Sequence, residues 1–182
     1  STPFRFADGG VASVFSSYDE STVDTHFRWM KEYGLDGVFM QRFVGEVKNP
    51  SGKNHFNKVL ASATKAADKY DRAICVMYDL SGMKDASFVL DDIDELTRLF
   101  NIGNRKKNPS YLFHNGRPLV VIWGVGFNDR RRYTTEDVEL IVDGLKKRGF
   151  SVMLGVPTYW RELRSDTENN PKLHELIRKS DI

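Results

Sequence analysis

The sequence has 182 residues and only one cysteine, Cys75. A lone cysteine excludes an internal disulfide framework and a cysteine-based zinc site. Long apolar runs are missing too. The longest, Leu119–Val120–Val121–Ile122–Trp123, suits a buried strand and falls far short of the ~18 residues of a membrane-spanning helix. Charge of one sign is scarce: 27 Lys and Arg face 25 Asp and Glu, a net of +2. That balance excludes the electrostatic footprint of a nucleic-acid binder. No G-x-x-x-x-G-K-[ST] phosphate loop and no G-x-S-x-G elbow occurs. Gly124-x-Gly126 follows an apolar run, but Asp129 stands where a dinucleotide fingerprint needs Gly or Ala. The Asn-x-Ser sequences at Asn49 and Asn108 carry proline at x and cannot accept a glycan. No secretory signal opens the chain. Its polar start, Ser1–Thr2–Pro3, without Met, reads as a cut end.

What is present is a globular composition. AVILMFWYC residues make up 40% and glycine adds 14 residues, within the usual ~45–50% apolar band. Apolar runs and helical patterns alternate. Strands are expected at 11–15, 37–43, 73–80, 118–123 and 151–156. Between them run helical stripes: Val23, Phe27 and Met30; Phe56, Val59, Leu60, Ala63, Ala66, Ala67 and Tyr70; Val89, Ile93, Leu96 and Phe100; Val138, Ile141, Val142 and Leu145; Leu173, Leu176 and Ile177. Asp19 or Ser21 and then Thr134 stand at cap positions, and Gly34 and Gly149 at stops. Asn49–Pro50–Ser51–Gly52 reads as a loop. Asp91, Asp92, Asp94 and Glu95 cluster near the start of a helix and read as solvated acids favoured by its dipole rather than as a metal site. Asn115–Gly116 between apolar runs predicts a hairpin. Asp181–Ile182 is where a further strand would begin.

The β/α alternation implies a parallel sheet covered by helices. Two architectures fit: about five units of a (β/α)8 TIM-like barrel, as one domain over 1–182 incomplete at both ends, or a doubly wound five-stranded sheet. The spacing and the cut-looking ends favour the partial barrel. Such a segment leaves strand edges open and is expected to self-associate through them.

In either fold the chemistry lies beyond the C-terminal ends of the strands. Those ends carry Tyr18; Gln41 and Arg42; Tyr78 and Asp79; Trp123 and Asn128; and Tyr159, Trp160 and Arg161. Aromatic faces with amides, a guanidinium and a carboxylate suit sugar binding. Asp79, an acid inside an apolar run, needs a partner or a function. Arg42 is the expected partner, and Asp79 is the candidate catalytic carboxylate. A glycosidase needs a second carboxylate, for which only Asp19 and Glu46 offer themselves. His26, His55, His114 and His174 lack metal spacing, and Arg130–Arg131–Arg132 reads as a solvated loop.

The segments HFRWMKEYGLDGVFMQRF (26–43), AICVMYDLSG (73–82), GRPLVVIWGVGF (116–127) and GVPTYWREL (155–163) resemble glycoside hydrolase family 71/99-like proteins, in particular the Bacteroidetes group labelled xylosidase or arabinosidase. The resemblance runs over nearly the whole chain in the same order. It implies a (β/α)8 barrel acting on polysaccharide, with α-mannosides or α-1,3-glucans as substrates, no metal or organic cofactor, and a periplasmic or cell-surface location. It also implies paired catalytic carboxylates in a Glu-Trp-His-Glu-Gly-like motif. That motif does not occur in this sequence, so the 182-residue chain is expected to be inactive alone and to supply sugar-binding walls. Gln41–Arg42 and Tyr78–Asp79 depart from the mannosidase pattern; Trp123 and Tyr159–Trp160 match aromatic strand ends of the closer group. Two other readings stay open: a non-catalytic carbohydrate-binding barrel, and a doubly wound nucleotide- or flavin-binding domain.

Overall fold

The computed structural model describes residues 2–182. The elements run α1 (Glu20–Glu32), β1 (Gly37–Phe43), α2 (Val44–Val47), α3 (Pro50–Tyr70), β2 (Ala73–Asp79), α4 (Ser87–Phe100), β3 (Phe113–His114), β4 (Arg117–Trp123), α5 (Thr135–Lys147), β5 (Ser151–Gly155) and α6 (Lys172–Lys179). The long strands lie side by side in chain order, β1-β2-β4-β5, and every pair is parallel. The short β3 returns against β4 through Asn115–Gly116, both at positive φ, as a two-residue hairpin loop requires. Below the β2–β4 pairing, Ser110 and Leu112 bond Ile74, and Leu112 also bonds Leu119, so the lead-in fills the gap between those strands.

Strand order in chain sequence decides the architecture. Right-handed crossovers that always step the same way put every helix on one face of the sheet. A doubly wound sheet reverses direction and covers both faces. Here Val38, Met40, Ile74, Val76, Tyr78, Val120, Ile122, Val152 and Leu154 pack with the helices in one large core. The apolar cluster on the opposite face is small: Cys75, Leu119 and Val121 with Met77, Leu112 and Met153. Its rim is bare: Phe39 is 40% and Trp123 41% exposed. This is an α/β barrel segment, helices outside and the second face inside.

Helix starts follow local chemistry where a side chain is suited to it. Thr134 forms a capping box with Asp137 at the head of α5, satisfying two orphan donors at once. Asp19 precedes α1 without a side-chain cap. The segment expected to be a loop at 49–52 instead opens α3, with Pro50 in the first turn, where a missing N–H costs nothing.

The expected strand at 11–15 does not form. Asp8–Gly9–Gly10 makes a tight turn that pairs Arg5 with Val11, and Ala12 bonds Phe4. Local pairing thus takes up this backbone, and Val14 and Phe15 stay exposed. The acidic cluster sits just past the first turn, and not all of it is solvated. Helix α4 begins at Ser87 with no acid in that turn. Asp92 is buried, Asp94 pairs with Arg148 and Glu95 with Lys53.

Cys75 lies on the inner face with its thiol donating to Leu119 O at 3.1 Å. Burial pushes the thiol pKa up to about 12, well above the ~8.5 of a free cysteine. Its folded pKa is raised, so this contribution to stability is complete below about pH 8.5 and is lost as pH rises toward 12. Ellman's reagent at pH 8 is expected to leave the folded thiol unmodified over hours and to titrate it at once in guanidinium. Rapid labelling of the native protein would show that the inner face opens.

Candidate functional site

The C-terminal ends of the strands bring one residue from each element into a single layer. Phe43, Asp79, Trp123 and Gly155 are register neighbours across β1, β2, β4 and β5. Alternation turns Phe43, Asp79, Trp123 and Gly155 to the inner face together with Gln41. Gly155 is required there, because a Cβ would overlap the Trp123 indole. The indole therefore lies across the end of β5, with Phe127 beside it at 5.8 Å between ring centroids.

Asp79 is 6% exposed and makes no ion pair among the described residues. Its partners are neutral donors: Gln41 Nε2 donates to Oδ2 and the Ser81 backbone N–H to Oδ1, both at 2.9 Å. Both oxygens are oriented and the carboxylate keeps lone pairs for a ligand. A cavity lies on each side. Gln41, with Ser17, Phe43, His55 and Phe56, lines one of about 310 Å³ along the outer edge of β1. Ser81, with Lys48, Gly82, Met83, Lys84 and the loop from Asp129 to Tyr133, lines one of about 340 Å³.

Arg42 and Tyr78 are corrections to the expected cleft wall. They alternate to the helix face and are 3% and 0% exposed. Arg42 does not pair with Asp79. It grips Asp92 with Nε at 2.6 Å and Nη2 at 2.8 Å, and the Tyr78 hydroxyl donates to the same carboxylate at 2.7 Å. Burial, reinforced by the Asp92 charge, raises the Tyr78 pKa well above the usual phenol. One residue along a strand reverses the face, so Gln41 and Asp79 face inward while Arg42 and Tyr78 cannot.

The remaining expected residues divide between two places. Tyr18 lies over α3, stacked on His55 at 5.2 Å with Lys58 Nζ 3.5 Å from its ring centre. Asn128 donates its backbone N–H to Asp166 O, and Phe127 bridges to Thr167. Those bonds tie the loop after β4 to the loop after β5, which carries Tyr159, Trp160 and Arg161. Asp166 holds the latter loop by accepting from the Thr158 and Tyr159 N–H groups. The Trp160 ring packs against the core and contacts His174, while the Arg161 guanidinium lies 4.5 Å over it. Asp19 and Glu46 are exposed and share no hydrogen bond with Asp79. No three potential metal ligands cluster among the described residues.

Sequence reading missed the loop after β4. Arg131 is held against the protein rather than left in solvent, its side chain 19% exposed. It is held by Asp129 at 2.6 and 2.8 Å, by Gly124 O at 2.9 Å and by the Tyr133 hydroxyl, and it covers the Phe127 ring. Gly124 leaves the space, since a Cβ would overlap the guanidinium. Burial raises the Tyr133 pKa to about 12 against the lowering effect of Arg131, with Asp129 and Asp79 both adding to the rise. Asp79 therefore sits within electrostatic reach of this loop. An available signal was the glycine pair Gly124 and Gly126 ahead of an arginine run.

No protein-family model matches the chain, and no curated protein does. Among solved structures, the GH99 endo-alpha-mannosidase from Bacteroides thetaiotaomicron is similar over 60% of this chain and 29% of that one, at 16% identity and TM-score 0.48. The same enzyme in complex with bis-tris-propane is similar over 60% of this chain and 30% of that one, at 16% identity and TM-score 0.47. The chain thus spans under a third of those proteins' length.

Proposed function

We propose that this chain forms part of the wall of a carbohydrate-binding cleft in a glycoside-hydrolase-like barrel, and that the intact protein cleaves α-mannosidic or α-glucosidic bonds. The observation that carries this reading is the inward layer of Asp79, Gln41 and Trp123 at the C-terminal strand ends. A flat indole stacks on the apolar face of a sugar ring, and an amide and a carboxylate take hydroxyls with fixed geometry. Asp79 would hold a hydroxyl or act as one of two carboxylates; glycosidic cleavage needs a general acid and a partner carboxylate. A location in the periplasm or at the cell surface goes with this reading.

The doubly wound nucleotide or flavin reading has less support. Gly124 and Gly126 follow β4, but α5 begins only at Thr135, so no helix N-terminus stands at that turn to hold a phosphate.

Affinity electrophoresis tests the proposal. Mobility is expected to fall in gels containing yeast α-mannan or α-1,3-glucan and to stay unchanged in cellulose derivatives, with Gln41→Ala weakening retardation about tenfold, one hydrogen bond to a charged network. Stabilisation by flavin mononucleotide with no retardation by any polysaccharide would overturn it.

A further inference from the structure

The cavity beside Asp79 that Ser81 lines is strongly basic, and its cations lack counter-charges. Lys48 and Lys84 approach from the ends of β1 and β2, Arg130 and Arg132 from the loop after β4. All four side chains are exposed and none makes an ion pair or side-chain hydrogen bond among the described residues. The carboxylate in the lining, Asp129, is engaged by Arg131. Several cations elsewhere on the surface are paired, Lys69 with Asp24, Lys172 with Glu136 and Glu139, Lys179 with Glu139 and Asp143, and Arg148 with Asp94; what sets these four apart is that they converge on one cavity. Like charges gathered round one cavity repel unless an anion joins them.

The cavity is built on fixed parts. Arg131 is pinned by Asp129, Gly124 and Tyr133, which sets the positions of the residues on either side. The opposite wall is fixed as well: Gly45 N–H donates to Ser81 O, and Leu80 N–H to Trp123 O. Ser81 in turn bonds Asp79, so the basic cavity and the sugar-facing layer share a residue. At about 340 Å³ it lies in the range of small-molecule sites, ~300–1,000 Å³. A sugar stacked on Trp123 and bonded to Asp79 would place its neighbour, or its own substituent, over these cations.

We propose that this cavity binds an anionic substituent on the polysaccharide, a sulfate ester or a uronate carboxylate, so that the cleft prefers charged glycans to neutral ones. The proposal rests on the carbohydrate reading of the Asp79 layer. Arg130 and Arg132 are specificity residues in it, because guanidinium forks match planar and tetrahedral oxyanions better than ammonium groups do.

The test compares three polysaccharides in affinity gels at fixed, moderate ionic strength: neutral α-mannan, the same mannan chemically sulfated, and a polyuronate. The proteins are the wild-type chain, Arg130→Ser/Arg132→Ser, and Lys106→Ser/Lys107→Ser. The last removes equal charge from the loop between α4 and β3, at the other end of the strands. The wild type is expected to bind a charged glycan at least tenfold more tightly than neutral mannan. Arg130→Ser/Arg132→Ser should lose that margin and keep neutral binding, while Lys106→Ser/Lys107→Ser keeps both. Preference for the sulfated glycan over the polyuronate identifies a sulfate ester, the reverse a carboxylate. Equal binding of neutral and charged glycans, or equal loss in both double variants, overturns the anion site and leaves the carbohydrate reading standing. Binding to none of the three overturns the carbohydrate reading itself.

Discussion

Replacing Asp92 with alanine is expected to cost about 3–5 kcal/mol of folding stability, the usual price of orphaning a buried ionic partner. Asp92 is 1% exposed. It accepts both prongs of the Arg42 guanidinium and the Tyr78 hydroxyl, with Lys53 Nζ at 3.7 Å. Removing the carboxylate strands a guanidinium that is 3% exposed and so largely cut off from bulk solvent. The network also joins β1, β2, α3 and α4, so its loss loosens the layer that carries the site. In a chain of this length the melting temperature should fall by about 10 °C or more. Asp94→Ala is the control. Its partner Arg148 is 32% exposed and Asp94 itself 49%, and such pairs contribute below ~1 kcal/mol. Guanidinium denaturation of the two variants checks the contrast; similar midpoints would mean that Arg42 finds other solvation. Replacing the set together, Arg42→Leu, Asp92→Leu and Tyr78→Phe, should recover much of the loss, since a matched apolar cluster avoids the desolvation cost.

The second large effect is on binding. Trp123→Ala is expected to weaken α-mannan or α-glucan affinity about 30-fold, some 2 kcal/mol, as removal of a buried aromatic anchor does. Stability should change less, because the indole is 41% exposed and supports little of the core. Gly155→Val approaches the same residue from below. The new side chain would overlap the indole and displace it, so binding should fall similarly while the Trp123 side chain remains present. Retardation measured for both variants beside the wild type decides the point. If Gly155→Val binds normally, the orientation of the indole over β5 is not what the sugar reads. If Trp123→Ala binds normally, the sugar face lies elsewhere.

The parts of the fold legible in the sequence were those governed by local chemistry. The apolar runs at 37–43 and 151–156, the Asn115–Gly116 turn and the Thr134 cap each follow from a few adjacent residues, and the structure places β1, β5, the hairpin and the α5 cap accordingly. The strand expected at 11–15 failed because Asp8–Gly9–Gly10 offered its backbone a nearer partner. The loop expected at 49–52 became helix because proline is harmless in a first turn. For the site, alternation along β1 and β2 already separates Gln41 and Asp79 from Arg42 and Tyr78, but which set faces inward depends on which side the helices cover.

By itself, the sequence determined that this chain is α/β, that its strands are buried on the helix side, and that aromatic and polar residues gather at the strand ends. Periodicity and turn chemistry act over a few residues, so one dimension suffices for them. Only the tertiary structure decided the rest. Strand order placed all helices on one face and so turned Asp79, Gln41 and Trp123 inward, while Asp92, distant in sequence, claimed Arg42 and Tyr78. The arginine run likewise acquired its meaning from Gly124 and from Ser81 across the strand ends. A charge is satisfied by whatever the fold brings within ~3 Å of it, and that distance is not written in sequence spacing.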